Sequence, residues 1–230
     1  GFKAVIFSRT KADGTKDWIV SFTGTEVTTP HDPASDLQLG WNQWRSKNGG
    51  QAVMEYIRES VSSNDTINFT GHSLGGGLAE YATYYAKTEL IPQLQNDSAG
   101  FNLNLTLTTF NAMGVNDGLK LYAGVDVATS SGAVEGLKIT HYIRKGDLVG
   151  LLGGHLGDTV STPDGLISNV YELGTNTLFL GEAHVIKTLY QENLYSARQY
   201  FPGYLNIATT KRLINALTHL DTQGISSADE

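Results

Sequence analysis

Thr66-Ile67-Asn68-Phe69-Thr70-Gly71-His72-Ser73-Leu74-Gly75-Gly76-Gly77-Leu78-Ala79 is the stretch on which the reading of this chain turns. Ile67 and Phe69 alternate with polar neighbours after Asn64-Asp65, which predicts a short strand, and Leu78 to Lys87 reads as a helix. Between them, Gly71-His72-Ser73-Leu74-Gly75 fits the G-x-S-x-G pattern of a nucleophile elbow. Such a turn must be tight enough to push the serine hydroxyl out at its tip. Side chains two positions away on either side would collide, so glycine belongs there. The N–H of Leu74, following the serine at the start of the helix, is then available to a developing oxyanion. A glycine-rich turn with an incidental serine is the bland alternative. The strand before, the helix after, and the further small residues favour Ser73 as a nucleophile.

Outward from the elbow, the chain alternates strand-like and helix-like segments. Lys3 to Ser8 and Trp18 to Phe22 read as strands around the Asp13-Gly14 turn. Thr28 to Gln38 has no period, and Trp41 and Trp44 stand one helical turn apart, the spacing of core aromatics. After Gly49-Gly50, Ala52, Val53, Tyr56, Ile57 and Val61 fall on one stripe of an amphipathic helix. The elbow helix is expected to run through Tyr81, Tyr84 and Tyr85 and to stop before Pro92. Phe101 to Phe110 alternates as a half-exposed strand, and Leu137 to Arg144 is another strand. Gly118 to Gly132 carries no assignment, and 148–181 is rich in Gly, Leu and turn residues. Ala183 to Tyr200 and Arg212 to Leu220 read as helices, and the polar tail after Asp221 is expected to fray.

The elbow Gly71-His72-Ser73-Leu74-Gly75-Gly76-Gly77-Leu78-Ala79 resembles that of the class 3 lipases, the fungal-lipase-like branch of the α/β-hydrolases. Trp18-Ile19-Val20-Ser21-Phe22-Thr23-Gly24-Thr25 is similar to the family's oxyanion strand, and Tyr142-Ile143-Arg144-Lys145-Gly146-Asp147-Leu148-Val149 to its acid-bearing strand end. The resemblance covers about residues 1–190 in order and is closest to bacterial members, several of them phospholipases. It implies an α/β-hydrolase fold, a central mostly parallel sheet flanked by helices. It also implies a second oxyanion donor at Thr25 and, after the oxyanion strand, a lid. Leu37, Leu39, Trp41 and Trp44 would give that lid an apolar face, the alternative to core packing for the two tryptophans. Residues 150–182 could form a second flap. Thr23 stands where members commonly carry Arg, a departure that touches support of the oxyanion loop.

A serine hydroxyl needs a base to take its proton, and the base needs a third group to orient it. In α/β-hydrolases the chain order is Ser, then Asp or Glu, then His. That order prunes the six histidines. His31 precedes Ser73, and His72 should point away from the hydroxyl at so tight a turn. His141 lies mid-strand, and His219 sits on a terminal amphipathic helix. His155, in a loop after Gly153-Gly154, competes with His184, which opens a helix at a loop-to-helix junction and matches the family's His before a C-terminal helix. His184 is the expected base. Asp117, Asp126, Asp158 and Asp164 lie in plausible loops, but Asp147 combines a strand end with the family's Gly-Asp pattern and is the expected acid.

Composition narrows the partners. The 230 residues suit one domain, expected over 1–220 with a polar tail at 221–230. A net charge of −7 with no Lys/Arg cluster argues against a nucleic-acid surface and against docking on anionic membranes by charge. The expected partner is a lipid or ester substrate, met through transient contact with a lipid interface. The absence of cysteine rules out a disulfide framework or thiolate metal site, and triad chemistry implies no metal or organic cofactor. The chain begins at Gly1 and reads as a processed piece of something longer. With the family resemblance, a secreted protein is expected.

Overall fold

The computed structural model describes residues 2–24, 33–127, 131–144, 149–151, 153–157 and 168–173. Six strands form one sheet in chain order: β1 (Ala4–Thr10), β2 (Lys16–Phe22), β3 (Thr66–His72), β4 (Asn104–Phe110), β5 (Lys138–Arg144) and β6 (Ser168–Leu173). β1 returns antiparallel on β2 through the Asp13-Gly14 turn, where Asp13 accepts the Thr15 N–H at 3.0 Å. The other neighbours all pair in parallel. The sheet is thus mostly parallel, as expected, with β1 its one antiparallel strand among the described residues. β6 lies in the Gly- and Leu-rich stretch that carried no strand expectation, because six residues reading Ser-Asn-Val-Tyr-Glu-Leu show no alternation long enough to stand out.

Parallel pairing brings the C-terminal ends of the strands to one edge. Phe22 is level with Gly71, His72 with Phe110, and Phe110 with Tyr142. In open α/β sheets that edge is where ligands sit. The opposite end of β2 and β3 is anchored by Asp65. Its buried carboxylate accepts the Lys16 N–H at 2.7 Å, the Trp18 indole N–H at 2.9 Å and the Ser62 N–H at 3.0 Å.

Helix α3 (Leu74–Tyr85) follows β3, and every one of its residues is buried. It packs on β2, β3 and β4, while α1 (Pro33–Arg45) and α2 (Gly50–Ser60) pack against it and each other. A helix apolar nearly all round suits that central place. The helix does not stop at Pro92. A wider π-type turn at Ala86–Leu90 leads into α4 (Ile91–Asp97), with Pro92 in its first turn, where the missing N–H costs least. α2 also differs from expectation: Gly50, Val53 and Ile57 are buried, whereas Ala52 and Tyr56 face outward. β4 is buried more completely than its alternation suggests, since Thr108 and Thr109 lie inside with Leu105 and Leu107. In the unassigned stretch after β4, a short α5 (Asn116–Gly118) runs into a π-type turn ending at Gly124, in the left-handed region.

Trp41 and Trp44 belong to the core. Trp44 is fully buried and stacks on Tyr85 at 5.4 Å and Tyr81 at 6.1 Å. Trp41 stacks on Tyr122 at 5.9 Å and meets Tyr81 edge-on at 5.7 Å. Leu39 is exposed, but the tryptophans present no outward apolar face. Of the lid segment expected at 26–48, residues 26–32 lie outside the described residues, as do the helices expected at 183–200 and 212–220. No helix among the described residues is long and apolar enough to cross a membrane.

Candidate active site

Ser73 sits between the last residue of β3 and the first of α3 with φ 56° and ψ −130°. A non-glycine residue in that region is strained and persists only where its surroundings over-determine it. They do so here from three sides. Ser73 N–H donates to the Phe110 carbonyl at 3.2 Å, tying the turn to the end of β4. Its own carbonyl accepts from Gly76 N–H at 3.0 Å, Gly77 N–H at 3.3 Å and Met113 N–H at 3.3 Å. The backbone of Gly75 crosses directly over Gly71, and the other face of Gly75 lies against the Phe22 carbonyl and the Thr23-Gly24 peptide. A Cβ on either glycine would overlap main-chain atoms. The glycines therefore do what the elbow pattern requires, and additionally let the end of β2 approach the turn.

That approach matters for the oxyanion expectation. Gly24, two residues past β2, is so close to the elbow that a Cβ there would stand 2.9 Å from the His72 carbonyl oxygen and 3.3 Å from Ser73 Cβ. Leu74, the other expected donor, is the first residue of α3 and is buried. Ser73 itself is 5% exposed. Thr25, Asp147 and His184 lie outside the described residues. Asp147 follows by three residues the end of β5, the strand beside β4 on the same edge.

The remaining histidines divide cleanly. His72 is half-buried, and His141 is fully buried in mid-β5. His155, the competitor for the role of base, is engaged elsewhere: its Nδ1 lies 2.8 Å from Glu80 Oε1 and its Nε2 2.7 Å from the Gly150 carbonyl. Residues 153–155 are docked on the segment after β4, with Asn116 N–H donating to the Gly154 carbonyl at 3.0 Å and Asn116 Nδ2 to the His155 carbonyl at 2.7 Å. Glu80 escaped the sequence reading. Its signal was a lone carboxylate in an otherwise apolar run, Leu78 to Ala86, which amphipathic reasoning assigns to solvent. With His141 and His155 it offers donor atoms within 4.8 Å of one another, a spacing that could also hold a metal ion.

The profile of the Tle-like phospholipase domain matches residues 1–192. The chain belongs to that family. A curated relative of this phospholipase-like domain, the extracellular phospholipase A1 of Serratia liquefaciens, is 27% identical over 183 residues. The match takes in 77% of the chain and 47% of the relative, so the chain spans about half that protein's length. Among solved structures, M37 lipase is similar over 64% of the chain and 48% of its own, with TM-score 0.41 and 13% identity. The triacylglyceride lipase of Rhizomucor miehei is similar over 64% of the chain and 59% of its own, with TM-score 0.32 and 16% identity.

Proposed function

We propose that this phospholipase-like domain hydrolyses carboxylic esters of lipids, as a phospholipase A1 or lipase, through Ser73, His184 and Asp147. The observation that carries the reading is the strained Ser73 at the strand-to-helix turn, on the edge where β2, β4 and β5 also end. Family membership and the name of the Serratia relative support a phospholipid ester as substrate. In this reading Ser73 Oγ attacks the ester carbonyl as His184 takes its proton. Asp147 holds the imidazole in the right tautomer and stabilises the imidazolium. The N–H groups of Leu74 and Thr25 receive the oxyanion, each contributing roughly 3 kcal/mol to the transition state. The alcohol or lysolipid leaves with the proton from His184, and water cleaves the acyl-enzyme by the same route in reverse. Residues 1–220 form the catalytic domain and 221–230 its tail.

The test compares hydrolysis of p-nitrophenyl esters of short and long chain, below and above aggregation, and then of phospholipids labelled at either acyl position. Ser73→Ala, Asp147→Asn and His184→Ala run beside the wild type, each expected to lose about 10⁴-fold or more in kcat. Preference for dissolved short esters would make the domain a plain esterase. Equal inactivity of wild type and Ser73→Ala would sink the hydrolase reading. Activity in the culture supernatant rather than the lysate checks export of the parent protein, which the relative's extracellular description supports.

A further inference from the structure

Three side chains outside the proposed triad bring metal-ligating atoms together in the core. Glu80, on α3 about two turns beyond Ser73, is wholly buried, and His141 in β5 and His155 in the segment after it are buried too. Glu80 Oε1 lies 2.8 Å from His155 Nδ1 and 3.7 Å from His141 Nδ1. The ligating atoms that the three residues offer all lie within 4.8 Å of one another. With bonds of roughly 2.1 Å, two donors on a tetrahedral zinc stand about 3.4 Å apart. The two distances from Glu80 fall on either side of that value. Thr109 Oγ1, 2.7 Å from His141 Nδ1, is the neutral oxygen at hand for a fourth position.

The bonds on the far side of each ligand are those a metal centre needs. A carbonyl only accepts, so His155 Nε2–H donates to Gly150 at 2.7 Å and His141 Nε2–H to Leu156 at 3.0 Å. A metal-bound imidazole is neutral and keeps its one hydrogen on the nitrogen away from the ion, where a backbone carbonyl fixes the ring. A histidine that only fills a core could turn either nitrogen inward. Here both rings turn Nδ1 toward the same carboxylate oxygen. Glu80 Oε2 in turn accepts the Leu156 N–H at 2.8 Å, which fixes the carboxylate.

We propose that Glu80, His141 and His155 form a structural site for a divalent ion of the zinc class. Two imidazole nitrogens with one carboxylate oxygen suit zinc, whereas magnesium and calcium prefer oxygen alone. The ion ties α3, β5 and the segment that carries His155 together at one point. It does so in a chain with no cysteine to make a covalent cross-link. The site stands roughly 10 Å along α3 from Ser73, and its ligands are buried, so it holds the fold and takes no part in ester cleavage.

The experiment measures bound metal in wild type, Ser73→Ala, Glu80→Gln and His155→Ala purified without chelator, then titrates the chelator-stripped proteins with zinc sulfate. Wild type and Ser73→Ala are expected to hold about one equivalent of zinc and to melt at a higher temperature once it is returned. Glu80→Gln, which keeps an acceptor for the Leu156 N–H, should bind zinc at least about 100-fold more weakly, and His155→Ala likewise. Stripped wild type that takes up no zinc and melts at the same temperature with it overturns the site. So does zinc that both variants retain in full, since it is then held elsewhere in the chain. Should the variants fail to fold, zinc-edge X-ray absorption of the wild type decides: two imidazole ligands support the site, and fewer refute it. Wild type that binds zinc through Glu80 but cleaves no ester leaves the site standing and overturns the hydrolase reading alone.

Discussion

At the scale of single residues, the described core holds two carboxylates that a reading by polarity would send to the surface. Asp65 sits in a turn sequence, Asn64-Asp65, yet is fully buried. Burial alone would raise its carboxyl, but the N–H donors from Ser62, Trp18 and Lys16 together with the Lys16 charge outweigh that and hold it below its ordinary 3.8. A carboxylate with a depressed folded-state value stabilises the fold above its unfolded value, and that contribution disappears as pH falls through the folded one. Chemical-denaturation midpoints should therefore drop between about pH 4 and pH 2 more in wild type than in Asp65→Asn. At pH 7, Asp65→Asn should already be less stable by roughly 1–3 kcal/mol, because an amide nitrogen faces donors. A variant as stable as wild type at pH 7 would remove Asp65 from its anchoring role. The turn at Ser73, the proposed nucleophile, was legible in the sequence for the opposite reason: glycines at that spacing mark a tight strand-to-helix crossing. Glu80 and Asp65 were not, because only tertiary neighbours turn a lone carboxylate into a buried, fully bonded one.

At the scale of elements, the strands were more legible than the helices. β2 and β5 carry β-branched or aromatic residues in short runs bounded by turns, and their extents agree with the sequence reading within two residues. Helix boundaries depended on choices that local sequence does not settle. Pro92 looked like a stop and is a first-turn residue, because the π-type turn before it resets the ladder. Tyr56 was placed on the buried stripe of α2 and is half exposed, the inward stripe being narrower than its apolar residues. For α1 the two readings of its tryptophans make different demands. As core, Trp44→Ala should cost roughly 3–5 kcal/mol of stability, read from denaturant midpoints. A lid residue would instead leave stability unchanged and weaken turnover on aggregated substrate.

At the scale of the whole molecule, charge bears on how the protein meets its substrate. With 16 basic against 23 acidic residues, the chain is repelled by an anionic surface and drawn to it only through apolar contact. On anionic vesicles, raising salt from about 10 mM to 150 mM shortens the screening length from roughly 30 Å to 8 Å and should increase the hydrolysis rate. On zwitterionic vesicles the rate should hardly change. A rate on anionic vesicles that falls with salt would reveal a basic docking face that the composition hides. The architecture was readable at this scale because β3, the elbow and α3 fix a parallel crossover, and the strands then join in chain order. Residues 148–181 were not, since β6 is recognised only by the strand it pairs with.

The placement of the three tryptophans also gives the molecule its own optical reporters. Trp18 is buried with its indole bonded to Asp65 at the foot of the sheet, and Trp44 is buried in the aromatic layer between α1 and α3. Trp41 is partly covered in that same layer beneath Arg45. Intrinsic fluorescence thus follows two separate places at once, the sheet's base and the seam between the helices. Replacing Trp18 by Phe leaves a signal from the seam alone, so that loosening of α1 can be seen apart from loss of the sheet.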